Sequence, residues 1–340
     1  MHNLRPKIKS TSKATVYYIA FCAQNKYLKS KKVVTGKVFS HFCVRFHTIK
    51  QTEILERRDG VDNRKTVAII GGDARMLACA RALKESGWRV LLCGFEDDPA
   101  AQADCLSLRE ALLQVDTVVF PLPASKDGRF VFAPFARHSI ELDDKLAEEL
   151  TGKQVFCGMR ERLPLNEKWK AIPVIDYYQD ETLLMENARI TAEAALFEVM
   201  NLLPCTLYDC RCLVAGFGRI GKALTARLLG LGATVTVAAR KEKDREAAQK
   251  MGAQAVSFAE PLPPCDVIFN TVPAPVFSCE LLPSCQDSLY VELASSPGLD
   301  QAPDEIKILK AASLPGKYAP DTAGRAIAAV LLGEGKEGKA

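Results

Sequence analysis

One glycine-rich stretch constrains the fold of this chain more than any other part of its sequence: Val214-Ala215-Gly216-Phe217-Gly218-Arg219-Ile220-Gly221. It ends an apolar strand and begins a helix predicted over residues 219–229. In a G-x-G-x-x-G turn the first glycine permits a tight turn, the second lets a phosphate approach bare backbone, and the third lets the helix pack on the strand. The amino end of the helix also attracts negative charge. We therefore predict a dinucleotide-binding domain of the Rossmann type, with the cofactor on Gly216, Gly218, Arg219, Ile220 and Gly221.

The choice between NAD and NADP depends on the end of the next strand. An acidic residue about 20 positions after the glycines would bind the ribose 2′-hydroxyl of NAD. The strand ends instead in Ala238-Ala239-Arg240-Lys241. A guanidinium can form charge-assisted hydrogen bonds with a 2′-phosphate, which a carboxylate would repel. The sequence predicts NADP, held in part by Arg240 and Lys241; a solvated pair of surface cations is the alternative.

Two later strands end in small and hydroxyl residues. Asn270-Thr271-Val272-Pro273 ends one strand, and Leu293-Ala294-Ser295-Ser296 follows the next. Open parallel sheets bind their ligands at the carboxyl ends of the strands. We expect the nicotinamide and its ribose to lie against Thr271, Val272, Pro273, Ala294 and Ser295, although plain loop structure would explain the same residues.

Apolar strands alternate with helices from residue 65 onward, among them a helical stretch near residues 103–113, as in a parallel sheet covered on both faces. The predicted fold class is α/β, with two doubly wound, Rossmann-like parallel-sheet domains joined by a long helix. The predicted divisions are a basic extension over 1–64, an N-terminal α/β domain over 65–178, a connecting helix over 179–204, an NADP-binding domain over 205–310, and a segment over 311–333 whose helix returns towards the first domain.

Charge is unevenly spread along the chain. The first 65 residues hold 15 Lys and Arg against 4 Asp and Glu, whereas the whole chain has a net charge of only +4. The rest is mildly acidic, and we predict neither a nucleic-acid partner nor a membrane span. The basic extension has no helix or strand period and is expected to be irregular and dispensable for folding.

The 12 cysteines lack the paired C-x-x-C spacing of zinc sites, so no metal is predicted. Cys210 and Cys212 are expected to be buried or half-buried thiols, and a reducing cytoplasm fits this cysteine content best.

These segments together resemble the family of dipicolinate synthase A subunits over about residues 65–332. The resemblance is carried by Ile69-Ile70-Gly71-Gly72-Asp73-Ala74-Arg75, Pro121-Leu122-Pro123, Asn187-Ala188-Arg189-Ile190-Thr191-Ala192-Glu193-Ala194, Asn270-Thr271-Val272-Pro273, Ala294-Ser295-Ser296-Pro297-Gly298 and Leu314-Pro315-Gly316-Lys317-Tyr318-Ala319-Pro320. The chain departs from the family pattern at Ala194 and Leu299, where the family has glycine, and the basic extension has no counterpart in the family.

The resemblance implies a function as well as a fold. It implies that a dihydrodipicolinate-type cyclic dicarboxylate is oxidised to dipicolinate in bacterial sporulation, with hydride passing to NADP and with a flavoprotein-like B subunit as partner. A homo-oligomer is also expected. The alternatives are another two-domain NAD(P) dehydrogenase, or a non-catalytic NADP-binding regulatory subunit.

Four residues are the candidates for the chemistry. Arg75 and Lys317 are cations in turns of opposite domains and are expected to hold the two substrate carboxylates. Glu193, on the connecting helix, could accept a proton or orient a loop, and Ser296 is a further candidate. Thr191 and Asn187 are the next candidates for the substrate site. An N-cap at Asp73 with a solvated Arg75 would explain the first turn equally well.

Overall fold

The computed structural model describes residues 65–277, 288–299 and 306–333; the predicted extension over 1–64 lies outside them. The first lobe is a parallel five-stranded sheet in the order β2-β1-β3-β4-β5. Its strands are β1 (Thr66–Ile70), β2 (Arg89–Cys93), β3 (Thr117–Val119), β4 (Gln154–Cys157) and β5 (Val174–Asp176). Its helices are α1 (Ala74–Glu85), α2 (Leu108–Leu112), α3 (Asp144–Glu149) and α4 (Glu167–Lys170).

The second lobe follows a 20-residue helix, α5 (Glu181–Met200). Its parallel six-stranded sheet has the order β11-β10-β9-β6-β7-β8. The strands are β6 (Arg211–Ala215), β7 (Thr234–Ala238), β8 (Gln254–Val256), β9 (Val267–Asn270), β10 (Leu289–Glu292) and β11 (Lys307–Lys310). The helices are α6 (Arg219–Gly230), α7 (Glu242–Lys250), α8 (Leu314–Tyr318) and α9 (Pro320–Leu332).

Buried apolar strands form the cores of both lobes. The central strands β1, β6 and β9 are almost wholly buried, as expected of parallel strands covered on both faces. Cys210 and Cys212 are buried in the core of the second lobe. No helix in the part of the chain that the structure describes is long and apolar enough to cross a membrane.

Two helices connect the lobes. The first turn of α5 contributes Leu183 to the core of the first lobe, and its second half contributes Ala195 and Val199 to that of the second. Helix α9 comes after the last strand of the second lobe but packs on α1 of the first. A Cβ added to Gly324 of α9 would lie 2.3 Å from the backbone oxygen of Arg75. The backbones of the two helices are therefore in close contact at this glycine.

The predicted fold class is confirmed, with differences in detail. The helix predicted near residues 103–113 is too long, because Ser107 starts a new helix there: its hydroxyl accepts from the Glu110 amide while the Glu110 carboxylate accepts from the Ser107 amide. The sequence pattern does not predict strands β8 and β11. Both are edge strands of three or four residues, too short to show a clear apolar pattern.

Each sheet has one point where the strand order reverses direction, and such points are where doubly wound folds bind ligands. In the first lobe it lies between β1 and β3; in the second it lies between β6 and β9. The loop after β3 partly covers the first of these edges, since a Cβ on Gly71 would lie 2.9 Å from the side chains of Val131 and Ala133. The second edge is the glycine turn.

Candidate functional site

The three glycines of the turn have three different surroundings. Gly216 has φ +92°, and a Cβ there would lie 2.6 Å from the Thr271 hydroxyl. A Cβ on Gly221 would lie 2.2 Å from the Gly216 carbonyl oxygen, so helix α6 packs directly on the turn. Gly218, by contrast, faces open space. The turn therefore presents bare backbone at the amino end of a 12-residue helix, an arrangement that fits a pyrophosphate.

A cleft of about 450 Å³ lies beside this turn. It is lined by Gly216, Gly218, Arg240, Lys241, Asp244, Phe258 and the segment 271–276. The Thr271 hydroxyl donates to the Ala215 carbonyl at 2.7 Å, which fixes the end of β9 against the start of the turn. The structure thus brings Gly216 and Gly218, the two predicted cations and the predicted segment 271–273 into one cleft, whereas Gly221 packs behind the turn.

The two cations stand at the end of β7 on a fixed backbone. Nη1 of Arg245 donates to the carbonyl oxygens of Ala239 at 2.9 Å and of Arg240 at 3.0 Å. The side chains of Arg240 and Lys241 are exposed, and neither makes an ion pair with any residue that the structure describes. Both charges are therefore available to a ligand in the cleft.

Arg219 and Ile220 are differently placed from the glycines. The Arg219 guanidinium donates to both carboxylate oxygens of Glu181, at 3.0 and 2.7 Å, so it joins the start of α6 to the start of α5. These hydrogen bonds raise the pKa of Arg219. Ile220 is partly buried and packs on the core of the second lobe. Arg219 therefore contacts the helix that joins the lobes, and Ile220 contacts the core of the second lobe.

A carboxylate that sequence reasoning missed organises the ends of β9 and β10. Glu292 accepts four hydrogen bonds: from the Asn270 amide at 2.7 Å, the Ala294 and Gly298 backbone N–H groups at 3.0 and 2.8 Å, and the Tyr290 hydroxyl at 3.2 Å. The buried Asn270 also donates to the Val272 carbonyl at 3.0 Å. The loops after β9 and β10 are thereby tied together.

The predicted residues Ala294, Ser295 and Ser296 line a second cleft. It measures about 340 Å³, lies at the carboxyl ends of β10 and β11, and is also lined by Glu292 and Lys310. These three residues are thus separated from the cleft that holds Thr271, although the Glu292 network connects the two loops. No sequence signal singles out Lys310, since it ends a strand that the apolar pattern does not predict.

Arg75 lies at the reversal point of the first lobe and is 6% exposed. Its Nε and Nη2 atoms donate to the Asp73 carboxylate at 2.9 and 2.8 Å, and Nη2 also donates to the Leu122 carbonyl at 2.5 Å. Asp73 caps α1 by accepting from the Arg75 amide. The expected cap is present, but Arg75 is buried against Asp73 and Leu122, so the alternative of a solvated Arg75 is wrong. Nη1 is the one guanidinium nitrogen without a hydrogen bond to the described residues.

The turn of Lys317 lies against Arg75, since a Cβ on Gly316 would be 3.0 Å from Arg75 Nε, but the charged groups of Lys317 and Glu193 have other partners. The Lys317 ammonium donates to Glu198 of α5 at 2.7 Å, and the Tyr318 hydroxyl donates to the same carboxylate. These donors lower the pKa of Glu198. Glu193 is exposed and accepts from Arg227 of α6 at 2.7 Å. Both predicted groups therefore already have ionic partners on neighbouring helices.

Asn187 also lies beside Arg75. The two residues line one crevice between α1, α5 and α9. The amide of Asn187 also approaches the Tyr178 hydroxyl at 3.5 Å, and burial raises the pKa of that hydroxyl. Thr191, one turn further along α5, is buried and donates to the Asn187 carbonyl at 2.7 Å.

Comparison with known families and structures agrees with this geometry. Residues 66–176 match the N-terminal domain of the dipicolinate synthase A subunit, and residues 185–277 match the NAD-binding domain of D-isomer-specific 2-hydroxyacid dehydrogenases. The dipicolinate synthase A subunit of Bacillus subtilis is 28% identical over 281 residues, which are 78% of this chain and 94% of the relative.

Solved structures of related proteins share this two-domain fold. The crystal structure of the dipicolinate synthase A subunit from Bacillus halodurans superposes with a TM-score of 0.71 at 28% identity, over 82% of this chain and all of that one. A transhydrogenase from Sinorhizobium meliloti shares the fold, with a TM-score of 0.57 at 15% identity over 80% of this chain and 93% of that one.

The fold and the glycine turn define a two-domain, dehydrogenase-like protein with a nicotinamide-dinucleotide-binding domain. Within that class, the resemblance to the family of dipicolinate synthase A subunits, predicted from the sequence, is confirmed.

Proposed function

We propose that this chain is an oxidoreductase subunit that oxidises a dihydrodipicolinate-type cyclic dicarboxylate to dipicolinate, pyridine-2,6-dicarboxylate, with NADP. The observation that carries the proposal is the single cleft lined by both the glycine turn and the Arg240–Lys241 pair, in a chain that resembles the dipicolinate synthase A subunit along most of its length. The names of the relatives favour a role in sporulation, and we place that role in the cytoplasm.

NADP fits the cleft better than NAD does. The 2′-phosphate adds negative charge where two unpaired cations end β7, and the backbone that carries them is held by Arg245. Asp244 is the one acidic residue among those lining the cleft, and it lies in the first turn of α7 rather than at the end of the strand. NAD would normally be bound by an acid at the strand end.

The reaction needs little covalent chemistry from the protein. The ring loses one hydride and one proton and becomes aromatic, and bound NADP⁺ would supply the hydride acceptor. The protein then has to hold two carboxylates and orient the ring. We propose Arg75, through its uncommitted Nη1, for one carboxylate, and the Ser296 hydroxyl, in the cleft at the ends of β10 and β11, as a separate polar contact.

Hydroxyacid dehydrogenase chemistry is the weaker alternative. It uses an acid/base histidine beside the nicotinamide, and no histidine follows the glycine turn in this sequence, since the four histidines are His2, His41, His47 and His138. A non-catalytic NADP-binding subunit is the alternative from another class. The names of the relatives favour a partner subunit, and we propose a flavoprotein-like B subunit.

Turnover by the purified full-length chain tests this proposal. The chain would be incubated with NADP⁺ and freshly prepared dihydrodipicolinate, with and without the flavoprotein-like partner, while NADPH and the aromatic product are followed together. We expect the two to appear in equal amounts. Aromatic product without NADPH would contradict hydride transfer to NADP, and NADP binding without turnover in either mixture would favour the non-catalytic alternative.

A further inference from the structure

We propose that Lys310, with the hydroxyls of Ser295 and Ser296, binds a carboxylate of the substrate in the cleft at the ends of β10 and β11. This inference rests on the proposed function, because it takes the substrate to be a cyclic dicarboxylate. It assigns the second carboxylate to a residue seven positions before Lys317, the lysine that the sequence alone suggested.

The lining of this cleft carries polar side chains that make no hydrogen bond or ion pair with the described residues. The volume of the cleft is about 340 Å³, and its lining includes the Lys310 ammonium and the Ser295 and Ser296 hydroxyls. The Tyr290 hydroxyl and the Glu292 carboxylate also line it, and they are hydrogen-bonded to each other. Ser295, Ser296 and Lys310 are all exposed. Hydrogen bonds to a charged group are stronger than those between neutral groups, and a carboxylate can accept several at once.

The Lys310 ammonium is available, whereas the carboxylate of the residue opposite it in the sheet is fully occupied. Glu292 is its direct partner across the β10–β11 pair, yet the Glu292 carboxylate already accepts from four donors and makes no ion pair with Lys310. Within the described residues Lys310 has no ionic partner at all. Lys317 differs, since its ammonium lies 2.7 Å from Glu198.

The opposite wall of the cleft is preorganised. The Ala294 and Gly298 backbone N–H groups on Glu292 fix both ends of the segment that carries the two serines. A Cβ on Gly298 would lie 2.3 Å from the Asn270 amide nitrogen, so the segment is also pressed against the end of β9. A ligand would therefore meet hydroxyls whose backbone is already in place.

The position also suits a substrate that has to reach the nicotinamide. Strands β9, β10 and β11 are consecutive neighbours in the sheet, spaced by about 4.8 Å each. Val272 and Pro273 follow β9 in the cofactor cleft, and Lys310 ends β11 two strands away. A ring placed between them would have one side towards the cofactor and one carboxylate within reach of Lys310.

Calorimetric titration of pyridine-2,6-dicarboxylate into the full chain saturated with NADP tests the assignment, in metal-free buffer because this ligand chelates cations. Lys310→Met should weaken binding about tenfold or more, the effect of one lost charge-assisted contact, whereas Lys310→Arg should stay near the parent. Lys307→Met is the matched control, because Lys307 is an exposed lysine at the other end of the same strand.

The outcomes separate this inference from the proposed function. Normal dicarboxylate affinity in Lys310→Met, or equal losses in Lys310→Met and Lys307→Met, would overturn the assignment and leave the proposed function standing. A parent chain that binds NADP but no dicarboxylate would overturn the proposed function and the inference with it. Unchanged NADP affinity in Lys310→Met, with dicarboxylate binding lost, supports the site.

Discussion

At the scale of single residues, Gly218 and Gly221 offer a matched pair. Gly218→Ala adds a methyl group in open space and should leave Tm nearly unchanged, while it weakens NADP binding by roughly tenfold or more because it obstructs the bare backbone. Gly221→Ala puts a methyl group 2.2 Å from a backbone oxygen and should cost about 1–3 kcal/mol of stability. Thermal melts and NADP titrations of both variants would check this; reversed effects would contradict the geometry of the turn.

Some residues of the site could be predicted from the sequence and others could not. The glycines follow from local spacing, because the turn and its helix are consecutive in the chain. Lys317 and Glu193 stay predictions for the substrate site, and their ionic partners Glu198 and Arg227 lie 119 and 34 residues away in sequence. Ion pairs between distant segments leave no local pattern, so the sequence could not show that these charges were already paired.

At the scale of elements, the contact between α5 and α8 predicts a pH dependence. Hydrogen bonds from Lys317 and Tyr318 lower the pKa of Glu198, so its ionised form is favoured in the folded chain. The Glu198 carboxylate contributes its full stabilisation above the carboxyl pKa of the unfolded chain, about 4.3. This stabilisation is lost as the pH falls through the lower pKa that Glu198 has in the folded chain.

Glu198→Gln should therefore lower Tm at about pH 7, and the difference from the parent should shrink as the pH approaches about 3. Glu246→Gln is the control, since Glu246 of α7 is exposed and has no ionic partner among the described residues. Calorimetric melts across this range give the measurement. A difference that stays constant with pH would show that Glu198 acts through packing and not through its charge.

Element prediction succeeded where buried runs are long and failed where elements are short. The apolar strands of both sheet centres and the 20-residue helix α5 are all in the sequence-based assignment. The helix near residue 108 was predicted too long, because the Ser107–Glu110 capping box begins a separate helix there. Strand β11 was not predicted, because lysines occupy both of its ends. This last omission also hid Lys310.

At the scale of the whole molecule, helix α9 links the two lobes. It follows the last strand of the second lobe in the chain and packs on α1 of the first lobe. Gly324→Val should force α9 away from α1 and lower stability by about 1–3 kcal/mol, because the new side chain meets backbone atoms of Arg75 and Cys79. Arg325→Val is the control for the poor helix propensity of valine, since Arg325 is exposed on the same turn. Equal Tm losses in both variants would contradict close packing of the two helices.

The central claim is that the cleft beside the glycine turn binds NADP through Arg240 and Lys241. Calorimetric titration of the full chain with NADP⁺ and NAD⁺ tests it most directly, with Arg240→Asp as the variant and Lys243→Asp, an exposed position outside the cleft lining, as its control. We predict that the parent and the control prefer NADP by about 10 to 150-fold, and that Arg240→Asp prefers NAD. Equal affinities in the parent, or a preference that Arg240→Asp leaves unchanged, would contradict the claim.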